Sequence, residues 1–201
     1  MEKNHILILL LCLVGALVSS PVHAQNRLRL MTYNIKHGAG LDDSINYTRT
    51  ANVFIAYRPD IVAVQEVDSC TTRCHGAYVL GQLSKRTGLY ATFAPAINYQ
   101  GGKYGIGILS KEKPLKVARY PLPGREEKRV LLIVELKDFV FACTHLSLTE
   151  ADQIASVPLI EKYLMPYQGK KKVFLAGDMN AEPQSEFIQK HTFLYFSNTP
   201  N

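Results

Sequence analysis

The chain has 201 residues, 47% of them hydrophobic, and a formal net charge of +6. That length and apolar content suit one domain with a substantial core and exclude a disordered or fibrous chain. The basic balance is compatible with anionic partners but singles out none, since exported proteins are often lysine-rich.

Lys3 and His5 precede an apolar run over residues 6–18, and Pro21-Val22-His23-Ala24 then offers small residues at a cleavage point. The run is shorter than the roughly 20 residues a membrane-spanning helix needs, so residues 1–24 read as a secretory signal rather than an anchor. The expected product is a secreted or periplasmic domain over residues 25–201, without a stable membrane span. Cys70, Cys74 and Cys143 then enter an oxidising compartment. Cys70 and Cys74 could close a very short disulfide, while Cys143, within FACTH, is expected to be a buried, inert thiol.

In chain order, RLRLMTYN alternates polar with apolar residues and predicts a strand with one buried face, ending at Asn34. A glycine- and aspartate-rich loop carrying His37 follows, then a helix over residues 44–57, which Pro59 ends. DIVAVQEV reads as a central strand delivering Glu66 at its end. A second helix is predicted over residues 77–87, and strands over residues 89–95, 104–110, 115–120, 129–136 and 139–145. The short connections among the last three force antiparallel neighbours. A third helix over residues 149–164 leads to KKKVFLAGDMNAEP, a short buried strand after three lysines. Asp178 and Asn180 follow it at a spacing of two, which in an extended segment places both side chains on one side.

Asn34, Glu66, His145, Asp178 and Asn180 thus fall at strand ends, which is where α/β sheets gather ligands. Two carboxylates with amide oxygens are hard ligands suited to magnesium or manganese, and a histidine adds a donor near neutral pH.

TYNI around Asn34, PDIVAVQEVD around Glu66, GGKYGIGILSK, the E-x-R of Glu127 and Arg129, CTHLSL around His145 and GDMNAEP around Asp178 together resemble the successive motifs of the endonuclease/exonuclease/phosphatase (DNase I-like) superfamily. The resemblance runs from about residue 28 to residue 183. It implies an α/β fold, a four-layer α/β/β/α sandwich of two mixed sheets, and magnesium- or manganese-dependent hydrolysis of phosphate esters by a monomer. Carried over, it implies that Glu66 holds the metal with help from Asn34. Asp178 would activate or orient the attacking water, and Asn180 and His145 would donate to phosphate oxygens. Arg129, with His37 beside it, would bind phosphate. The substrate could be a nucleic acid, a phospholipid head group or a small phosphodiester.

One departure stands out. The superfamily's late serine-aspartate-histidine motif has no match in QSEFIQKHTFLYFSNTPN, where His191 lacks the preceding pair. The expectation is a chain that stops before the last strands and is less active and less stable than an extended version. The alternatives are a catalytically impaired, anion-binding pseudoenzyme and a secreted nucleic-acid-binding protein.

Overall fold

The computed structural model describes residues 27–190. The predicted signal, His191 and the aromatic terminal run lie outside the described residues. Among the described residues eight strands form two four-stranded sheets. The first holds β1 (Leu30–Asn34), β2 (Ile61–Ser69), β4 (Gly102–Ser110) and β3 (Tyr90–Tyr99) in that spatial order; the second holds β5 (Lys116–Leu122), β6 (Arg129–Glu135), β7 (Phe139–His145) and β8 (Lys172–Asp178). In each sheet one outer pair, β1 with β2 and β7 with β8, is parallel, and the other pairs are antiparallel.

The sheets pack face to face because β2 and β6 are apolar on both faces. From β2, Ile61 and Ala63 meet Leu132, Val134 and Phe141 between the sheets. Val62 and Val64 point the other way, onto α1 (Tyr47–Tyr57) and α2 (Val79–Thr87). Leu131 and Ile133 of β6 likewise face α3 (Glu150–Leu164) and the short α4 (Glu186–Lys190). The order helices, sheet, sheet, helices is the expected four-layer sandwich.

The helix expected from residue 44 starts at Tyr47, because the Asn46 side chain accepts from the Arg49 N–H and caps the first turn. It ends at Arg58, left-handed at φ 49°, just before Pro59. Two burial expectations fail. β1 carries Leu30 and Tyr33 at the surface, and β8 is half-buried rather than buried. Each is outermost in its sheet among the described residues, so no neighbouring strand covers its far side. Cys70 and Cys74 are both free. Cys70 is exposed, whereas the Cys74 thiol turns inward and donates to Asp68. Cys143 is fully buried and its thiol is pushed up to about 12 by burial, as expected of an inert cysteine. Among the described residues no helix is long and apolar enough to cross a membrane.

Candidate active site

The parallel pairings set the site. Asn34 pairs with Gln65 at the end of β1, and His145 pairs with Asp178 at the ends of β7 and β8, so three strand ends meet; β2 runs on to Ser69, so Glu66 is not at a strand end as the sequence suggested. Gly177 permits the second pairing, since a Cβ there would run into the Thr144 carbonyl of β7. Between Val64 and Val67 the β2–β4 register shifts, and Glu66 sits in this bulge at φ 57°. A left-handed backbone costs a non-glycine residue about 1–2 kcal/mol, and such strain collects where a side chain must be aimed.

The Asn34 Nδ2 donates to Glu66 Oε1 at 2.8 Å and to Asp178 Oδ2 at 3.1 Å, while its Oδ1 accepts from the Lys36 N–H. His145 Nε2 stands 3.9 Å from the same Asp178 oxygen. Burial, with the nearby Arg129 cation, holds the His145 pKa below its usual value against the pull of Asp178 and Glu66. An open cleft of about 550 Å³ beside these groups is lined by Asn34, Gln65, Asp178 and Asn180 among others. A depression of about 490 Å³ at the other end of the sandwich includes Asp60, but that carboxylate is already held by Lys111 and the Arg29 N–H.

Asn180 reaches the site by a different route from the one its spacing suggests. β8 ends at Asp178, and Asn180 is left-handed at φ 50°, so the two are not on one strand face. Instead the Asn180 N–H donates to Asp178 Oδ1, and its side-chain amide donates to the Leu146 carbonyl, tying the β7–α3 loop to the end of β8. Arg129 is 7% exposed, with one terminal nitrogen 3.1 Å from Glu126 and the other 3.3 Å from Glu127. It acts on His145 as a buried positive charge, and its Nε has no partner. Glu126 also accepts from Ser147 and the Leu148 N–H, and these bonds hold its carboxyl at about 2 although burial opposes them. His37 is left-handed at φ 48° with a buried, unpartnered Nδ1, and burial lowers its pKa.

Three residues at this end escaped sequence reasoning. Tyr104 of β4 lies within electrostatic reach of Glu66, Glu127, Arg73 and Arg129, and its hydroxyl pKa is raised by burial first and then by Glu66. Arg73 and Asp68 form an ion pair at 2.7 Å under the Glu66 bulge. The glycines of GGKYG mark the turn before Tyr104 but not its surroundings, and a cation five residues from an acid across a turn leaves no periodic signal.

The sequence profile of the Endonuclease/Exonuclease/phosphatase family matches residues 31–198. The chain belongs to that family. Its names describe hydrolases of phosphate esters, and the sandwich described above is the family fold. Among solved structures, a functionally unknown conserved protein from Enterococcus faecalis V583 is similar at 17% identity and TM-score 0.66, over 83% of this chain and 72% of that one. An endonuclease/exonuclease/phosphatase from Beutenbergia cavernae DSM 12333 is 22% identical with TM-score 0.64, over 79% of this chain and 48% of that one. D. rerio TDP2 complexed with a single-strand DNA product is 17% identical with TM-score 0.57, over 81% of this chain and 64% of that one. The chain therefore spans about half of the Beutenbergia protein's length and just under two thirds of the TDP2 chain. Among curated proteins, none matches the sequence.

A divalent metal implied by the family can be tested against the donors present. Among the described residues no three of His, Cys, Asp and Glu gather as a ready-made metal cluster. What the end of the sandwich offers is two carboxylates sharing a single amide hydrogen-bond donor. That set fits magnesium or manganese, which accept one or two carboxylates, keep several waters and take the rest of their ligands from substrate phosphate. It does not fit zinc, which prefers nitrogen and sulfur.

Proposed function

We propose that the protein is an exported phosphoesterase, dependent on magnesium or manganese, that cleaves a phosphodiester by attack of water. The observation that carries this reading is the meeting of Glu66 and Asp178 on one Asn34 nitrogen beside His145. Two carboxylates drawn onto one donor are a place where positive charge is wanted. Glu66, with Asn34, would hold the ion, which when bound polarises a phosphate oxygen as a Lewis acid.

The chain's own groups supply orientation and charge stabilisation. Asp178 orients the attacking water and accepts a proton from it as the water oxygen bonds to phosphorus and the bond to the leaving oxygen breaks, and that proton is passed on through solvent to the leaving oxygen. His145 is neutral at pH 7, because burial lowers its pKa, and donates its ring N–H to a phosphate oxygen as negative charge builds there. Asn180 uses one amide hydrogen on Leu146 and keeps the other for the phosphate. Arg129 adds a fixed positive charge behind His145 and, released from Glu127, a direct phosphate contact; His37 lines the pocket wall. Export rests on the signal-like residues 1–24, and a monomer is the working assembly. A nucleic-acid strand is one substrate class, by similarity to the DNA-bound TDP2 structure; phospholipid head groups and small phosphodiesters are the others.

The test is hydrolysis of a chromogenic phosphodiester by the purified mature chain. Expected is turnover that a chelator abolishes and either magnesium or manganese restores. Turnover indifferent to chelator, or none with any phosphodiester at saturating metal, would overturn the reading.

A further inference from the structure

The cation best prepared for an additional anion is not Arg129 but Arg73. Arg73 lies in the 3-10 turn Thr72–Cys74 after β2. Asp68, fully buried, accepts from its Nε and Nη2, both at 2.7 Å, and also from the Thr71 hydroxyl and the Cys74 thiol. This bidentate fork fixes one edge of the guanidinium. One face is fixed as well, because its Cζ lies 4.6 Å from the centroid of the Tyr99 ring and 5.4 Å from that of Tyr104. The remaining edge, Nη1, has no hydrogen-bond partner among the described residues, and the side chain keeps 27% of its surface.

Two neighbours locate that free edge. Tyr104 pairs with Asp68 across β4 and β2, two residues past Glu66, so the ring beside Arg73 adjoins the bulge that carries the carboxylate assigned to the metal. His37 is held near the same turn, because the thiol of Cys74, the residue after Arg73, donates to the His37 carbonyl at 3.7 Å. The Arg73–Asp68 pair is neutral overall, so what it offers an anion is oriented hydrogen bonds rather than net charge. A side chain locked on one edge and one face has little entropy left to lose on binding, which is what a recognition group needs.

We propose that Arg73 is a specificity residue that binds a second phosphate of the substrate, next to the phosphodiester being cleaved. Such a phosphate occurs in a nucleic-acid backbone and in a phosphorylated polyol head group. The proposal rests on the phosphoesterase reading for the reacting phosphate, but its binding arm does not need turnover.

The experiment compares two pairs of probes on the parent chain, Arg73→Gln and Arg73→Lys. One pair is the thymidine dinucleotide with and without a 5′-phosphate; the other is glycerophosphoinositol with and without a ring phosphate. Calorimetric binding is measured for all, and kcat and KM wherever turnover occurs. Expected in the parent is tighter binding of the phosphorylated member of at least one pair by on the order of tenfold, the size of one hydrogen bond to a charged group. The pair showing it identifies the source of the phosphate. In Arg73→Gln that preference collapses toward one and appears as a KM effect, while Arg73→Lys keeps part of it. No preference in the parent for either pair overturns the proposal, whether or not the variants fold. Equal losses on both members of a pair also overturn it, because they would make Arg73 a support for the Glu66 bulge only. Failure of all hydrolysis with the binding preference intact would instead overturn the phosphoesterase reading and leave the second-phosphate site standing.

Discussion

Replacing Asn34 with alanine removes the one nitrogen on which Glu66 and Asp178 meet, at 2.8 and 3.1 Å. A hydrogen bond to a charged group contributes roughly 1.5–3 kcal/mol when buried and less at an exposed position, so about 1 kcal/mol each applies at this open end of the sandwich. The loss of about 2 kcal/mol, deepened by two carboxylates now facing each other unshielded, corresponds to a fall of about 4–8 °C in Tm for a domain of this size. The assay is thermal unfolding of the parent and Asn34→Ala with chelator, then with saturating magnesium. Magnesium at about 100 times its Kd adds roughly 2.7 kcal/mol to a protein that binds it only when folded. In the variant the gain at the same magnesium concentration should be smaller, because Asn34 is one of the two residues assigned to hold the ion. An unchanged Tm in chelator refutes the role of the amide as the link between the strand ends. A fall in Tm with no magnesium gain in either protein refutes Glu66 as the cation site.

Glu66→Gln should raise the metal concentration needed for half-maximal activity, whereas Asp178→Asn should lower kcat by on the order of 10² to 10⁴ with little change in metal requirement; a metal titration of each variant's rate separates the two roles. The His145 pKa is held below 6.5 by burial in the folded state, so its contribution to stability is complete above about pH 6.5 and is lost as pH falls below that value, when the buried ring must take a proton. Urea unfolding between pH 7.5 and 5 should show this loss in the parent and a smaller one in His145→Gln. Gly177→Ala should cost about 1–3 kcal/mol by forcing β8 away from the Thr144 carbonyl, and should lower activity beyond what the Tm shift explains, since the same shift moves Asp178 from His145.

Much of this architecture is written locally. The strand Phe139–His145 falls where its apolar run and flanking turns put it, and β2 is legible as a central strand because a residue run buried on both faces has no polar alternation. Asn34, His145 and Asp178 could be named from sequence because each closes a strand, and Glu66 because it is an acid inside an apolar run. Parallel pairing sets Asn34 beside Gln65 and His145 beside Asp178, and the packing of the two sheets brings the two pairs together. Local sequence is silent where the backbone leaves the regular form. Glu66 is aimed by a bulge that exists because β2 changes register against β4, and Asn180 arrives through a left-handed turn rather than the extended spacing its position suggests. The surface position of Leu30 and Tyr33 and the half-burial of β8 likewise follow from which strands stand at sheet edges, a matter of topology. Only the tertiary structure decided which arginine is already committed to acids. Arg129 is closed between Glu126 and Glu127, while Arg73 is gripped by Asp68 and two tyrosine rings with one edge free. The type and spacing of a cation do not say which carboxylates the fold will bring to it, because those partners come from separate strands and turns that meet only once the two sheets have packed.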